Sequence, residues 1–326
     1  MRMPSLLCLL ILLPVTSLAG PPILTQLQPG SLQNQAQQSP VPPGTIRIST
    51  NLVQVPVSVT DARGHAVKNL QLEDFNVEES GSPVAIAHLG EPGGTRLEMV
   101  LVFDNTGSEY ARFDFEQQAA TSFLKTIFRP GDAVAILCIA SKPEVLLERT
   151  TTLGTALDGL SQLKASEYAT AFYDSIIAAA QMLKGPADPE TRRVQIVLSD
   201  GEDNFSRSKL ADAIREAQQA DSIFYSINPG EPSVRLNKVS LRGQQGMEAL
   251  AAQTGGAAFL ADKIQDLGDI YGRIAAELQA QYLLSYYSPD PKTDGGFRTI
   301  TVRVPKRPDL RVRARQGYYA SKGPSR

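Results

Sequence analysis

Apolar and polar residues follow three different rhythms along this chain, and the changes of rhythm divide it. From Ile46 the period is two. Val53, Val55, Val57 and Val59 alternate with polar or small residues, the pattern of a half-buried strand. A turn signal, Asp61-Ala62-Arg63-Gly64, follows, and DFNVEESGSPVAIAHL at 74–89 supplies two more short strands. Between Leu97 and Gln281 near-continuous apolar runs take over: LEMVLVF, AVAILCIA, VQIVL, SIFYSI and AAFL. Such runs belong to strands buried on both faces of a parallel sheet. Among them lie stretches with apolar residues three and four apart. Phe113, Ala120, Leu124 and Ile127 mark one helix, Phe172, Ile176, Ala180 and Leu183 a second, and Ile264, Leu267, Tyr271, Ile274 and Leu278 a third. Thr254-Gly255-Gly256 reads as the end of another helix.

Strand and helix in alternation predict an α/β fold with a doubly wound, mostly parallel sheet. Period two then returns, with Ile300, Val302 and Val304 on one strand and Leu310, Val312 and Ala314 on another, the latter interleaved with Arg311, Arg313 and Arg315. These last strands have no place in the parallel sheet. Pairing them with the N-terminal strands gives one small β domain built from both ends of the chain. The arginine comb reads as the solvated face of its strand.

The N-terminus, MRMPSLLCLLILLPVTSLAG, has the layout of a secretory signal peptide: Arg2, an apolar core from Leu6 to Leu13, and the small-x-small signal Ser17-Leu18-Ala19. The apolar run is broken by Pro14 and Thr16, too short for the roughly 20 residues of a membrane span. Residues 20–44 are rich in Pro and Gln and poor in apolar side chains, as in an extended linker. The expected plan is a signal peptide at 1–19, a linker at 20–44, a small β unit at 45–94, an α/β domain at 95–281, and C-terminal strands at 282–326 that pair with 45–94. Export places the protein outside the cytoplasm, secreted or in the cell envelope, with no membrane span after cleavage.

Composition narrows the function classes. A formal net charge of -2 and mixed charged residues, 20% of the chain, give no basic stripe for nucleic acid. Cleavage would leave Cys138 as the only cysteine; in an apolar strand it reads as a small hydrophobe. His65 and His88 have no partner at metal or triad spacing, and the chain holds no HExxH, GxSxG, P-loop or CxxC pattern.

The chemistry gathers instead in MVLVFDNTGSEY, Met99 to Tyr110, where an apolar run ends in Asp104, Thr106 and Ser108. Thr170 in EYATAFYDSI and Asp200 in IVLSDGEDNFS occupy two further loops. Open parallel sheets place functional residues at the carboxyl ends of their strands. Carboxylates with hydroxyls are hard oxygen ligands suited to Mg²⁺ or Mn²⁺. Each piece has a plainer reading. DNTGS serves equally as a turn and helix cap, Glu109 as a first-turn helix residue, and Glu202, Asp203 and Asn204 as solvated turn residues.

At these residues the chain resembles the von Willebrand factor type A domain. DNTGS is similar to that family's D-x-S-x-S metal motif, with threonine in the first hydroxyl place, and LSDGEDN to its final aspartate-glycine loop. Ala169 stands where a glycine is common before the threonine. With the flanking segments, nearly the whole mature chain resembles the secreted bacterial VWFA-related proteins known chiefly from Acidobacteria. The resemblance implies a metal-ion-dependent adhesion site at Asp104, Thr106, Ser108, Thr170 and Asp200. It also implies a non-enzymatic protein whose ion binds a carboxylate on a protein partner; it fixes no oligomeric state. Two alternatives stay open. DNTGS is also similar to the aspartyl-phosphate motif of the haloacid dehalogenase superfamily, with Asp104 as nucleophile and Mg²⁺ at Asp200 and Asp203, although Thr106 occupies the place of that family's acid/base aspartate. The third reading is a structural assembly domain with a vestigial metal site.

Overall fold

A computed structural model describes residues 52–90, 92–105, 110–165, 169–185, 191–229 and 237–320. The signal peptide and the linker lie outside the described residues, as do Thr106, Ser108 and Glu109. The described residues belong to a unit that runs from Ser49 to Arg326.

Its centre is a six-stranded sheet. The five apolar runs form β5 (Arg96–Asp104), β6 (Ala133–Ile139), β8 (Thr191–Leu198), β9 (Ser222–Asn228) and β10 (Ala257–Leu260), and β7 (Glu144–Thr150) joins them at one edge. The order is β10-β9-β8-β5-β6-β7. All neighbours are parallel except β6 and β7, which form an antiparallel pair. The helices are α1 (Tyr110–Ile127), α2 (Leu153–Ser161), α3 (Phe172–Leu183), α4 (Leu210–Gln219), α5 (Lys238–Thr254) and α6 (Leu267–Ala280). Ile264, expected on the last helix, falls in a short 3-10 turn just before it.

Alternation along β5 shows why its run is apolar throughout. Leu97, Met99, Leu101 and Phe103 pack into the layer under α1, α2 and α6, while Val100 and Val102 face α3, α4 and α5. Each fully buried side chain of this kind contributes about 1.5–3 kcal/mol. Cys138 lies in the first layer, where burial, aided by the charge of Glu144, pushes its thiol up to about 12.

The remaining strands build two antiparallel sheets from both ends of the chain. One has the order β13-β1-β11-β4, from β1 (Leu52–Thr60), β4 (Ile86–Gly90), β11 (Tyr282–Tyr287) and β13 (Arg311–Ala314). The other has the order β14-β12-β2-β3, from β2 (Asn76–Glu79), β3 (Ser82–Val84), β12 (Phe297–Arg303) and β14 (Gly317–Tyr319). Val53, Val55, Val57 and Val59 share one apolar cluster with Val77, Tyr282, Leu284, Tyr286 and Ile300. The small β domain is therefore two sheets instead of one, each mixing N- and C-terminal strands.

The arginine comb departs from expectation. Arg313 pairs with the buried Glu277 of α6, and Arg315 with Asp221, while Arg315 also donates to the Gln54 carbonyl at 2.5 Å. Arg311 is exposed, and Arg313 and Arg315 are half-buried. His65 is exposed beside Asp61 at 3.3 Å, and His88 is exposed on the edge strand β4.

Candidate metal site at the carboxyl end of the sheet

The order of the central sheet reverses at β5, which has β6 on one side and β8 on the other. Loops leaving a sheet at such a switch diverge to opposite faces and leave a crevice between them. Asp104 ends β5, and Asp200 follows β8 by two residues. The two carboxylates are thus carried by adjacent parallel strands, in the register Phe103 to Leu198. Between them stands Ser199, 1% exposed. Its hydroxyl donates to Asp104 Oδ2 at 2.7 Å and accepts from the Gly201 N–H at 2.9 Å. Asp200 Oδ1 accepts from the Glu202 N–H at 2.9 Å, which tightens the turn.

Thr170 arrives from the opposite side. The Ala171 N–H donates to the Ala140 carbonyl, one residue past the end of β6, at 2.8 Å. The Thr170 carbonyl accepts from the N–H groups of Asn204 and Phe205, and its own N–H donates to Asn204 Oδ1 at 2.9 Å. The Asp200 loop therefore holds the Thr170 segment directly, and Thr170 is buried at 6% exposure.

That same loop caps α3 from a distance. Ala171 precedes α3 and offers no side-chain cap, so the helix's first N–H groups need acceptors from elsewhere. Asp203 Oδ1 accepts from the Phe172 N–H at 2.9 Å and Ser206 Oγ from the Asp174 N–H at 3.1 Å. In return the Asp174 carboxylate accepts from the N–H groups of Arg207 and Ser208. Burial raises the Asp174 pKa, but hydrogen bonds from Ser208 and Arg207 outweigh it, and the net shift is downward. Glu202 and Asp203 are thus not the solvated turn residues expected, whereas Asn204 is exposed as expected although its side chain is tied. Asp203 and Asn204 fasten two loops together, and Glu202 Oε1 accepts from Ser240 Oγ of α5 at 2.5 Å. Nothing in DGEDN alone reveals these partners, which lie some thirty residues away in either direction.

The start of α5 completes the frame. Asn237 Oδ1 caps it, accepting from the N–H groups of Val239 and Ser240 at 2.8 and 2.9 Å. A Cβ on Gly243 would stand 2.7 Å from the Gly201 carbonyl carbon and 2.8 Å from the Asp200 oxygen, so only glycine lets the helix backbone lie on this loop. Gly201 also has a φ of 75°, a conformation glycine adopts freely.

The structure places three of the five sequence-derived site residues, Asp104, Thr170 and Asp200, on three cross-tied loops at one sheet end; Thr106 and Ser108 lie outside the described residues. The donor set is two carboxylates and a hydroxyl, all hard oxygen, and fits Mg²⁺ or Mn²⁺. Among the described residues no three His, Cys, Asp or Glu side chains converge. A groove of about 550 Å³ lies elsewhere, between the end of α5 and strands β12 and β13. No described helix is long and apolar enough to cross a membrane.

Residues 99–202 match the von Willebrand factor type A domain. No curated protein matches. Among solved structures, the chain is similar to an aerotolerance-related membrane protein from Bacteroides fragilis at 15% identity and TM-score 0.44, over 56% of this chain and 98% of that one. It is similar to BatB from Bacteroides thetaiotaomicron at 17% identity and TM-score 0.43, with the same coverage. It also resembles a von Willebrand factor type A protein from Catenulispora acidiphila at 15% identity and TM-score 0.45, over 72% of this chain and 51% of that one. Together with the α/β sheet whose order switches between Asp104 and Asp200, the family match identifies the stretch around residues 99–202 as a von Willebrand factor type A domain.

Proposed function

We propose that the protein is an exported, non-enzymatic binding protein that engages an acidic group on a protein partner through Mg²⁺ or Mn²⁺ held by Asp104, Thr106, Ser108, Thr170 and Asp200. The observation that carries this reading is the joining of three donor loops: Ser199 links the Asp200 loop to Asp104, and Asn204 links it to Thr170. When bound, the ion supplies a Lewis-acidic position for an oxygen of the partner. Hydrogen bonds already hold the Asp104 and Asp200 carboxylates and the Thr170 backbone before any partner arrives, which lowers the ordering cost of binding.

Charge favours an anionic partner group. Two aspartates supply two negative charges and the hydroxyls supply none, so a divalent cation here retains affinity for a further anionic oxygen, and outside the cytoplasm protein Asp and Glu side chains are abundant sources. Export is supported by the N-terminal charge and hydropathy pattern and by the resemblance to secreted bacterial VWFA-related proteins. The division at 19, 44, 94 and 281 belongs to the same proposal.

Calorimetry on the purified chain tests the core of the reading. Wild type is expected to bind one Mg²⁺ or Mn²⁺, and Asp104→Ala and Asp200→Ala to lose that binding with the far-ultraviolet spectrum unchanged. Equal heats from wild type and both variants would overturn it.

A further inference from the structure

Among the described residues, five of the nine exposed large apolar side chains lie at one end of the central sheet. Val145, Phe205, Val239, Leu241 and Leu260 are all exposed, and each sits at the carboxyl end of the strands. Val145 pairs with Leu137 near the end of β6, and Leu260 ends β10. Phe205 follows the Asp200 loop, and Val239 and Leu241 lie in the first turn of α5, the helix that follows β9. Single exposed apolar residues are ordinary, whereas a gathering at one end marks an interaction surface.

Phe205 and Val239 are the most exposed of the five, at 58% and 55%. Their segments are fixed to each other and to the metal-site loop. Ser240 donates to Glu202, the Gly201 and Gly243 backbones touch, and the Phe205 N–H donates to the Thr170 carbonyl. The exposed cations Arg207, Lys238 and Arg242 lie among these apolar positions. The nearby acids are engaged inward: Glu202 on Ser240, Asp203 on the Phe172 N–H, and Asp174 on the N–H groups of Arg207 and Ser208. The flank of the site formed by the Asp200 loop and α5 therefore presents apolar side chains and three exposed cations outward, with its acids turned inward.

We infer that the partner presents its ion-binding carboxylate within an acidic segment that also carries an aromatic or large aliphatic side chain a few residues away. The apolar side chain rests on Phe205, Val239 and Leu241, and the additional acids face Arg207, Lys238 and Arg242. A buried apolar anchor supplies affinity, and complementary charge at its edge supplies on-rate and orientation. This inference rests on the proposed ion-mediated binding.

The test is selection from a library of short random peptides built around one fixed aspartate, run on the full chain in Mg²⁺ and in EDTA. In Mg²⁺ the selected peptides should be enriched about tenfold in Phe, Tyr, Trp or Leu and in further Asp or Glu near the fixed residue, a difference of about 1.4 kcal/mol. Phe205→Ser with Val239→Ser should abolish the apolar enrichment and leave Mg²⁺ binding by calorimetry unchanged. Arg207→Gln, Lys238→Gln and Arg242→Gln together should abolish the acidic enrichment. Mg²⁺-dependent peptides without either enrichment, or the same enrichment on the variants, would overturn this inference and leave the proposed function standing. Absence of both Mg²⁺-dependent peptides and Mg²⁺ heat would overturn both. Phosphatidylserine vesicles serve as a control, and binding to them that is lost in the arginine and lysine variants but indifferent to Asp104→Ala would assign the flank to lipid and overturn the inference.

Discussion

Ser199 is a single hydroxyl that ties together the two candidate aspartates, Asp104 directly and Asp200 through its turn. It donates to Asp104 and accepts from the turn that carries Asp200, in a position almost closed to water. Ser199→Ala should cost about 1.5–3 kcal/mol, the range for a hydrogen bond to a charged group, and lower Mg²⁺ affinity roughly tenfold. Calorimetry beside a thermal melt reads both, and unchanged affinity would show that Asp104 needs no such support. Cys138 gives a second prediction. Burial pushes its thiol up to about 12, and the thiolate is the reactive species, so mass spectrometry should find Cys138 alkylated by iodoacetamide only in denaturant. Modification of the native chain at neutral pH would contradict its packing. The candidate ligands were legible at this scale because Asp, Thr and Ser at the end of an apolar run are a local pattern. The capping roles of Asp203 and Ser206 were not, because the helix they cap lacks a cap of its own for reasons visible only once the two loops meet.

The seating of α5 on the Asp200 loop is an element-scale property with an unusual sign. Replacing a helical glycine with alanine ordinarily stabilises by about 0.5–1 kcal/mol. At Gly243 the new Cβ would meet backbone atoms of Gly201 and Asp200 at 2.7 and 2.8 Å. Backbone cannot rotate away as a flexible side chain can, and overpacking of this kind costs about 1–3 kcal/mol. The clash should win, so Gly243→Ala is expected to lower the melting temperature and weaken Mg²⁺ binding by moving the loop. Gly272→Ala on α6, where a Cβ meets nothing within 4 Å, is the control and should stabilise. If both substitutions stabilise, α5 has room that the close approach denies. The strands of this domain were legible wherever both faces are buried, as in Val194–Leu198 of β8. β7 was not: its residues are half-buried or exposed in no regular alternation, because it is an antiparallel edge strand with a broken register. The helices α2, α4 and α5 also escaped the apolar spacing, α4 because LADAIREAQQ carries so few large apolar residues.

At the scale of the whole molecule, the join between the α/β and β parts is polar at its centre. Glu277 of α6 accepts from Ser58 of β1 at 2.8 Å and Tyr225 of β9 at 2.6 Å, and pairs with Arg313 of β13. Removing one partner of a buried pair costs about 3–5 kcal/mol, but Arg313 retains 36% side-chain exposure, so water offsets part of the loss. Glu277→Ala should therefore destabilise by about 2–3 kcal/mol, read by denaturant unfolding, and an effect below about 0.5 kcal/mol would place the pair with ordinary surface salt bridges. Period two at 53–59 and 300–304 made a shared β domain legible from the pattern alone. The role of the arginines was hidden, since alternation with apolar residues marks a face without saying whether solvent or another domain covers it. The strongest consequence concerns β1. Its pairing partners are β11 on one side and β13 on the other, both from the C-terminal end, while Val55 and Val57 are fully buried. A chain ending at Gln281 would leave β1 without either neighbour and β2 without β12. A lone strand or hairpin is marginally stable at best in water, whereas the central sheet keeps all six strands and both helical layers. Hydrogen exchange on that truncated chain should show protection lost at 53–59 and 76–79 and retained at 99–103 and 194–198. Retained protection at 53–59 would mean that β1 folds without the C-terminal strands, and equal loss in the central sheet would mean that the α/β part depends on the β part for its own stability.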